Sequence, residues 1–170
     1  MRRRAAGLIG VVALLAACGR GEDPEREPDA VVATPEESGR PETAWLAPTD
    51  RTEPALWLAR RAAGGEGRPD ASELAGLRKA LDEAKPHFVE DRRMIANRTA
   101  QLETMLAEIG ETEEPASLVA GLTGVAAASG RRRLYGEMCQ HYVTVRRAGL
   151  GREAALARLA ERYAAQDGTR

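Results

Sequence analysis

HFVEDRRMIANRTAQLETMLAEI, running from His87 to Ile109, is the stretch on which the fold turns. Phe88, Ile95, Leu102 and Ile109 recur every seven residues, with Val89, Met105 and Leu106 beside them. Seven residues are close to two helical turns, so such a set falls along one side of a helix. A stripe of this kind is stable only when a neighbouring helix covers it, so the spacing predicts a helix over about 87–109 within a bundle. Pro86 stops whatever helix comes before, because the residue preceding a proline avoids helical torsion angles. Gly110 is placed to form the left-handed cap at the far end.

The same logic extends in both directions. Upstream, Ser72 can cap a helix that carries Leu74, Leu77 and Leu81. Downstream, Pro115 opens a helix over about 115–128 with Leu118, Val119, Leu122, Val125 and Ala126. Gly121, Gly124 and Ala126 to Ala128 make that helix narrow, which suits a place inside the bundle, and it is too short to cross a bilayer. After Gly130, a helix over 131–147 places Leu134, Met138, His141 and Val145 on one stripe, with Tyr135, Cys139 and Tyr142 adjoining. Gly149 and Gly151 bracket a tight turn before a last helix over about 152–165, and this final pair reads as an αα-hairpin. No stretch alternates as a strand does, and no repeat of fixed period suggests a solenoid. The expected fold class is all-α, a small bundle of four to five helices, with the helical domain over 70–167.

Residues 45–69 form an intermediate segment, expected to be partly ordered. Pro54 starts a short helix over about 54–62, and Gly64-Gly65 ends it. Trp45 and Trp57 both lie here, with Arg60 and Arg61 close by. Packing on the main domain explains the two tryptophans; contact with a partner or a membrane interface is the alternative.

Residues 18–44 have a different character. Between 19 and 44 there are prolines at 24, 28, 35 and 41, and eight acidic residues against Arg20, Arg26 and Arg40. So acidic and apolar-poor a stretch cannot bury enough surface to order itself, and it reads as a disordered tether. A flexible coil of that length spans roughly 25–30 Å.

Before the tether come Arg2, Arg3 and Arg4, an apolar run from Ala5 to Ala17, and Leu15-Ala16-Ala17-Cys18. A positive region, a short apolar region and a small-residue cleavage site make a secretory signal; the run falls short of the ~18 residues that a spanning helix needs. The Leu-Ala-Ala-Cys ending resembles the lipobox of bacterial lipoproteins. That resemblance implies removal of residues 1–17 and attachment of lipid to the Cys18 thiol. Each buried methylene contributes ~0.8 kcal/mol, so two or three acyl chains hold a protein at a membrane. Gly19 in place of aspartate implies, by the same resemblance, the outer membrane rather than the inner one, with the chain facing the periplasm.

Charge and cysteine usage bound the function. The chain has 25 basic and 26 acidic residues; without Arg2 to Arg4 the ratio is 22 to 26, which gives no general reason to bind nucleic acid. A lipid on Cys18 takes it out of disulfide chemistry, leaving Cys139 unpaired and best read as a small buried hydrophobe. Met138, Cys139 and His141 offer soft ligands that suit copper. Two helical steps turn Cys139 and His141 about 200° apart, however, so a metal site would need His87 or another helix. The same geometry opposes a cysteine–histidine catalytic pair, and the chain has no HExxH, CxxC, phosphate loop or nucleophile elbow. Arg131, Arg132 and Arg133 are the densest positive charge after the signal, suited to an acidic partner or a lipid headgroup, or to a solvated turn paired with Glu111, Glu113 or Glu114.

These residues lead to a non-enzymatic, lipid-anchored accessory or scaffold of an envelope protein assembly, with no cofactor. Its partner contacts would be drawn from Trp45, Trp57, Arg131, Arg132 and Arg133. The alternative is a ligand- or metal-binding lipoprotein using His87, Cys139 and His141.

Overall fold

The computed structural model describes residues 44–65 and 68–168. The signal, Cys18 and the tether up to residue 43 lie outside the described residues. Six helices follow one another: α1 (Pro54–Ala62), α2 (Ala71–Ala84), α3 (Arg92–Ala107), α4 (Pro115–Ala128), α5 (Tyr135–Arg147) and α6 (Arg152–Gly168). The all-α bundle is as expected, with one helix more than the upper count.

The helices stack in two layers. α1, α3 and α5 pack side by side in chain order, and α2, α4 and α6 do the same in the other layer. α4 touches all five other helices, as its narrow profile anticipated. Gly121 is the reason α6 can lie so close: a Cβ there would stand 3.0 Å from Leu156 Cδ1 and 3.2 Å from Arg152 Nη2. The core between the layers holds Trp57, Leu81, Phe88, Ile95, Leu122 and Tyr142 among others.

Local chemistry sets the helix ends. Pro54 and Pro115 take the first turn of α1 and α4, where a missing N–H costs nothing. At α2 the cap is Asp70, not Ser72: its carboxylate accepts from the amides of Ser72 at 2.7 Å and Glu73 at 3.3 Å. A carboxylate two residues upstream reaches two orphan amides, which a serine hydroxyl cannot do from inside the turn. Gly110, at φ 74°, closes α3, and Glu111 N donates to Leu106 O across it.

Two predicted helices start later than their periodicity suggested. α3 begins at Arg92, where Asp91 accepts from Met94 N at 2.8 Å. α5 begins at Tyr135 rather than at residue 131. Between these starts, Phe88 and Arg133 pair as an isolated parallel β-bridge. Arg133 N donates to His87 O and Val89 N donates to Arg133 O, both at 2.9 Å. Extended backbone turns alternate residues to opposite faces. Phe88 therefore enters the core from a loop, meeting Tyr135 edge-on with ring centroids 4.8 Å apart. Val89, expected beside the buried stripe, is 56 % exposed, and Leu134, expected to open the next stripe, is 51 % exposed.

Residues 45–65 are built into the domain more firmly than their composition suggested. Leu46, Trp57 and Leu58 are buried in the common core. Asn97, itself buried, grips the backbone of Leu46 from both sides: Oδ1 accepts from Leu46 N at 2.8 Å and Nδ2 donates to Leu46 O at 3.0 Å. Arg93 adds a second donor to the same carbonyl.

Candidate functional site

The bridge brings the α2–α3 and α4–α5 loops together, and the predicted arginine cluster sits on this junction. Glu90, from the first loop, caps α5 from outside: its two carboxylate oxygens accept from Tyr135 N and Gly136 N, each at 3.0 Å. Leu134 occupies the N-cap position and offers no side-chain acceptor, so a carboxylate distant in sequence does the work. Gly136 leaves room beside it, since a Cβ there would meet Arg98 Nε at 3.2 Å.

The three arginines do not turn to Glu111, Glu113 or Glu114. Arg133 pairs with Asp167 near the end of α6 and lies over the Tyr163 ring, 5.0 Å from its centroid. Arg131 reaches the other oxygen of Asp167 at 3.5 Å. Arg132 covers the Phe88 carbonyl, with Nε at 2.9 Å, and approaches Val89 O at 3.4 Å. A cation near a helix N-terminus is unfavourable, and these side chains avoid that position by reaching back to loop carbonyls and across to α6.

The glutamates of the α3–α4 loop serve other arginines. Glu113 accepts from Tyr142 Oη at 2.6 Å and from Arg152 Nε at 3.0 Å, and its Oε1 stands 3.7 Å from Arg146. Arg146 pairs with Glu111 as well. Burial first, and then the Glu113 hydrogen bond, push the Tyr142 hydroxyl well above its ordinary value. This cluster joins α5 and α6 to the α3–α4 turn.

The residues considered for soft-metal or thiol chemistry are not brought together. Cys139 is buried, and burial pushes its thiol far up, so a nucleophilic thiolate is disfavoured there. His141, half-buried on another side of α5, has Nδ1 2.8 Å from Tyr163 Oη. Met138 is fully buried, and His87 lies at the bridge, using its backbone carbonyl there. Among the described residues no three His, Cys, Asp or Glu side chains are grouped to hold a metal ion.

Of the tryptophans, Trp57 is 1 % exposed and belongs to the core, so no partner reaches it in this fold. A large flat ring on the inward face of an amphipathic helix buries far more apolar area there than at the surface. Trp45 stays half-buried, with the Arg98 guanidinium 5.9 Å from its ring centroid.

Two features escaped the sequence reading. Glu103 on α3 holds one carboxylate oxygen, Oε2, buried without a hydrogen-bond partner. Burial pushes this carboxyl up to about 7, against the pull of Arg61 and with a further push from Glu114. A groove of about 650 Å³ also runs between α5 and α6, lined by His141, Val145, Arg158, Leu159 and Arg162.

Comparison with known proteins assigns the family. A model of the MoxZ family matches residues 55–164, from the first turn of α1 to the last turns of α6. The chain belongs to the MoxZ family. The match covers all six helices, so the two-layer bundle is the MoxZ unit and α1 is part of it. No curated protein and no solved structure matches this MoxZ chain.

Proposed function

We propose that this MoxZ protein is a non-enzymatic, lipid-anchored accessory component of a methanol-oxidising assembly in the cell envelope. The MoxZ match over residues 55–164 carries the reading, because that family suggests an accessory role in a methanol-oxidation system. The lipobox resemblance at Leu15 to Cys18 supports attachment through lipid, on the periplasmic side and in the outer membrane by the identity of Gly19. The acidic segment after Cys18 gives the domain reach, since like charge keeps it off anionic headgroups. Glu113 and Asp167 are engaged in joining helices, which supports a structural rather than a catalytic task for them.

Two strains test the proposal. Deletion of the gene slows growth on methanol and leaves growth on other carbon sources unchanged. Cys18→Ser releases the protein from the membrane fraction and lowers methanol-dependent growth. A deletion strain that grows normally on methanol defeats the accessory role; a Cys18→Ser protein that stays membrane-bound defeats the anchor.

A further inference from the structure

One carboxylate oxygen of Glu103, Oε2, is buried without a hydrogen-bond partner. A neutral carboxyl tolerates this far better than a carboxylate, which loses its hydration and gains no bond in return. The charged and titratable groups that act with Glu103 come from three elements: Arg61 on α1, Glu114 at the N-cap of α4 and Tyr135 on α5. α2 also packs on α3 and contributes none among the described residues. Tyr135 stays neutral, because burial pushes its hydroxyl well up, and Glu114 repels a second negative charge. Of the three, only Arg61 answers ionisation of Glu103 with attraction.

Arg61 is held loosely enough to respond. Among the described residues its guanidinium makes one hydrogen bond, from Nη2 to Thr104 Oγ1, long at 3.4 Å. Thr104 does not depend on it, since its hydroxyl already donates to Ala100 O at 3.1 Å. Thr104 adjoins Glu103 in the chain, so side-chain torsion changes alone carry the guanidinium from one to the other. A carboxylate is the better acceptor, because a charge-assisted bond is roughly twice as strong as a neutral one. Arg61 also lines a groove of about 350 Å³ together with Gln101, Thr104, Met105 and Gln140. It is the only charged side chain among the described lining residues, and Glu103 is not one of them.

We propose that Glu103 and Arg61 form a proton-controlled switch: Arg61 rests on Thr104 while Glu103 is protonated and turns to the Glu103 carboxylate once the proton leaves, which takes the positive charge out of the groove. Burial holds the proton up to about 7, against an ordinary value of 4.5, so the Thr104 state prevails below about 7 and the Glu103 state above it. The new contact offsets only part of the cost of burying the charge, because burial outweighs the pull of Arg61. The switch does not depend on the accessory role.

The test is an NMR titration of the full chain from about pH 5 to about pH 9, a range that brackets the expected change. It follows the Glu103 carboxyl carbon and the Arg61 Nε–H signal, the latter assigned by its loss in Arg61→Met. The Glu103 carbon titrates near 7. Over the same interval the Arg61 signal shifts and rotation of its guanidinium slows, as a carboxylate partner restrains it. In Glu103→Gln the Arg61 signal shows neither change. In Arg61→Met, a half-buried site at the end of α1, the Glu103 midpoint rises by about one pH unit or more. A Glu103 midpoint near 4.5 overturns the switch, as does an Arg61 signal indifferent to that titration, a change that persists in Glu103→Gln, or an unmoved midpoint in Arg61→Met. The wild-type titration is decisive by itself where a variant fails to fold.

Discussion

Glu103 sets the clearest prediction at the scale of a single residue. Its raised carboxyl pKa means that the folded state holds a proton the unfolded chain has already lost. Stability associated with this group is therefore fully present below the unfolded value of 4.5 and is lost as pH rises to about 7. Glu103→Gln removes the ionisable group while keeping its shape. It should match the wild type near pH 4 and exceed it at pH 8 by on the order of 1–3 kcal/mol, measured by urea unfolding at both pH values. Equal stabilities at pH 8 would show that water or a shifted side chain satisfies Oε2. Asn97 acts in the opposite sense, since every polar atom of its amide is used on Leu46. Asn97→Ala leaves the buried Leu46 N–H without its acceptor, with Arg93 still donating to the Leu46 carbonyl, and should cost about 1–3 kcal/mol. Hydrogen exchange at the Leu46 amide should speed up well beyond that of the amides in α3, and unchanged protection would contradict the clamp.

Between helices, the Glu113 cluster is the element that ties α5 and α6 to the α3–α4 turn. Glu113 and Arg146 side chains are 7 % and 4 % exposed, so removing one partner strands a buried charge. Glu113→Ala should cost on the order of 2–4 kcal/mol, with Glu111 left to hold Arg146. Replacing both, as Glu113→Leu with Arg146→Met, should cost clearly less than the single change, and denaturant unfolding of the two variants decides it. This cluster also shows what sequence patterning conveys at the element scale. The apolar spacing of α1, α2, α4 and α6, together with Pro54 and Pro115 at helix starts, was readable because it depends on neighbours a few residues away. The late starts of α3 and α5 were not. They follow from a bridge between residues 88 and 133 and from Glu90 capping a helix 45 positions downstream. Periodicity cannot record such long-range partners. For the same reason the sequence offers Arg131 to Arg133 an outside acidic group or Glu111, Glu113 and Glu114, whereas the fold brings Asp167 to two of them.

Across the described helices, the two-layer stacking follows no fixed period in the sequence. The odd-numbered helices start at 54, 92 and 135 and the even-numbered ones at 71, 115 and 152, so the interval wanders between 37 and 44 residues. The helices nonetheless alternate between the two layers, and the loops absorb the variation in spacing. At this scale the junction of the α2–α3 and α4–α5 loops was only partly legible: its arginines were visible, but Val89 and Leu134, expected on or beside buried stripes, stand exposed next to the Phe88–Arg133 bridge. The proposed lipid on Cys18 would extend this from domain to cell, because such an anchor would hold the helical domain within reach of a membrane.

The role proposed for the chain is to serve a methanol-oxidising assembly without performing the oxidation. The direct measurement is recovery of the affinity-tagged full chain from methanol-grown cells after mild cross-linking, with methanol-dependent dye reduction assayed in the eluate. The account predicts methanol-oxidising activity in the cross-linked eluate and none from the chain purified alone. An eluate without that activity, or an isolated chain that oxidises methanol by itself, would contradict it.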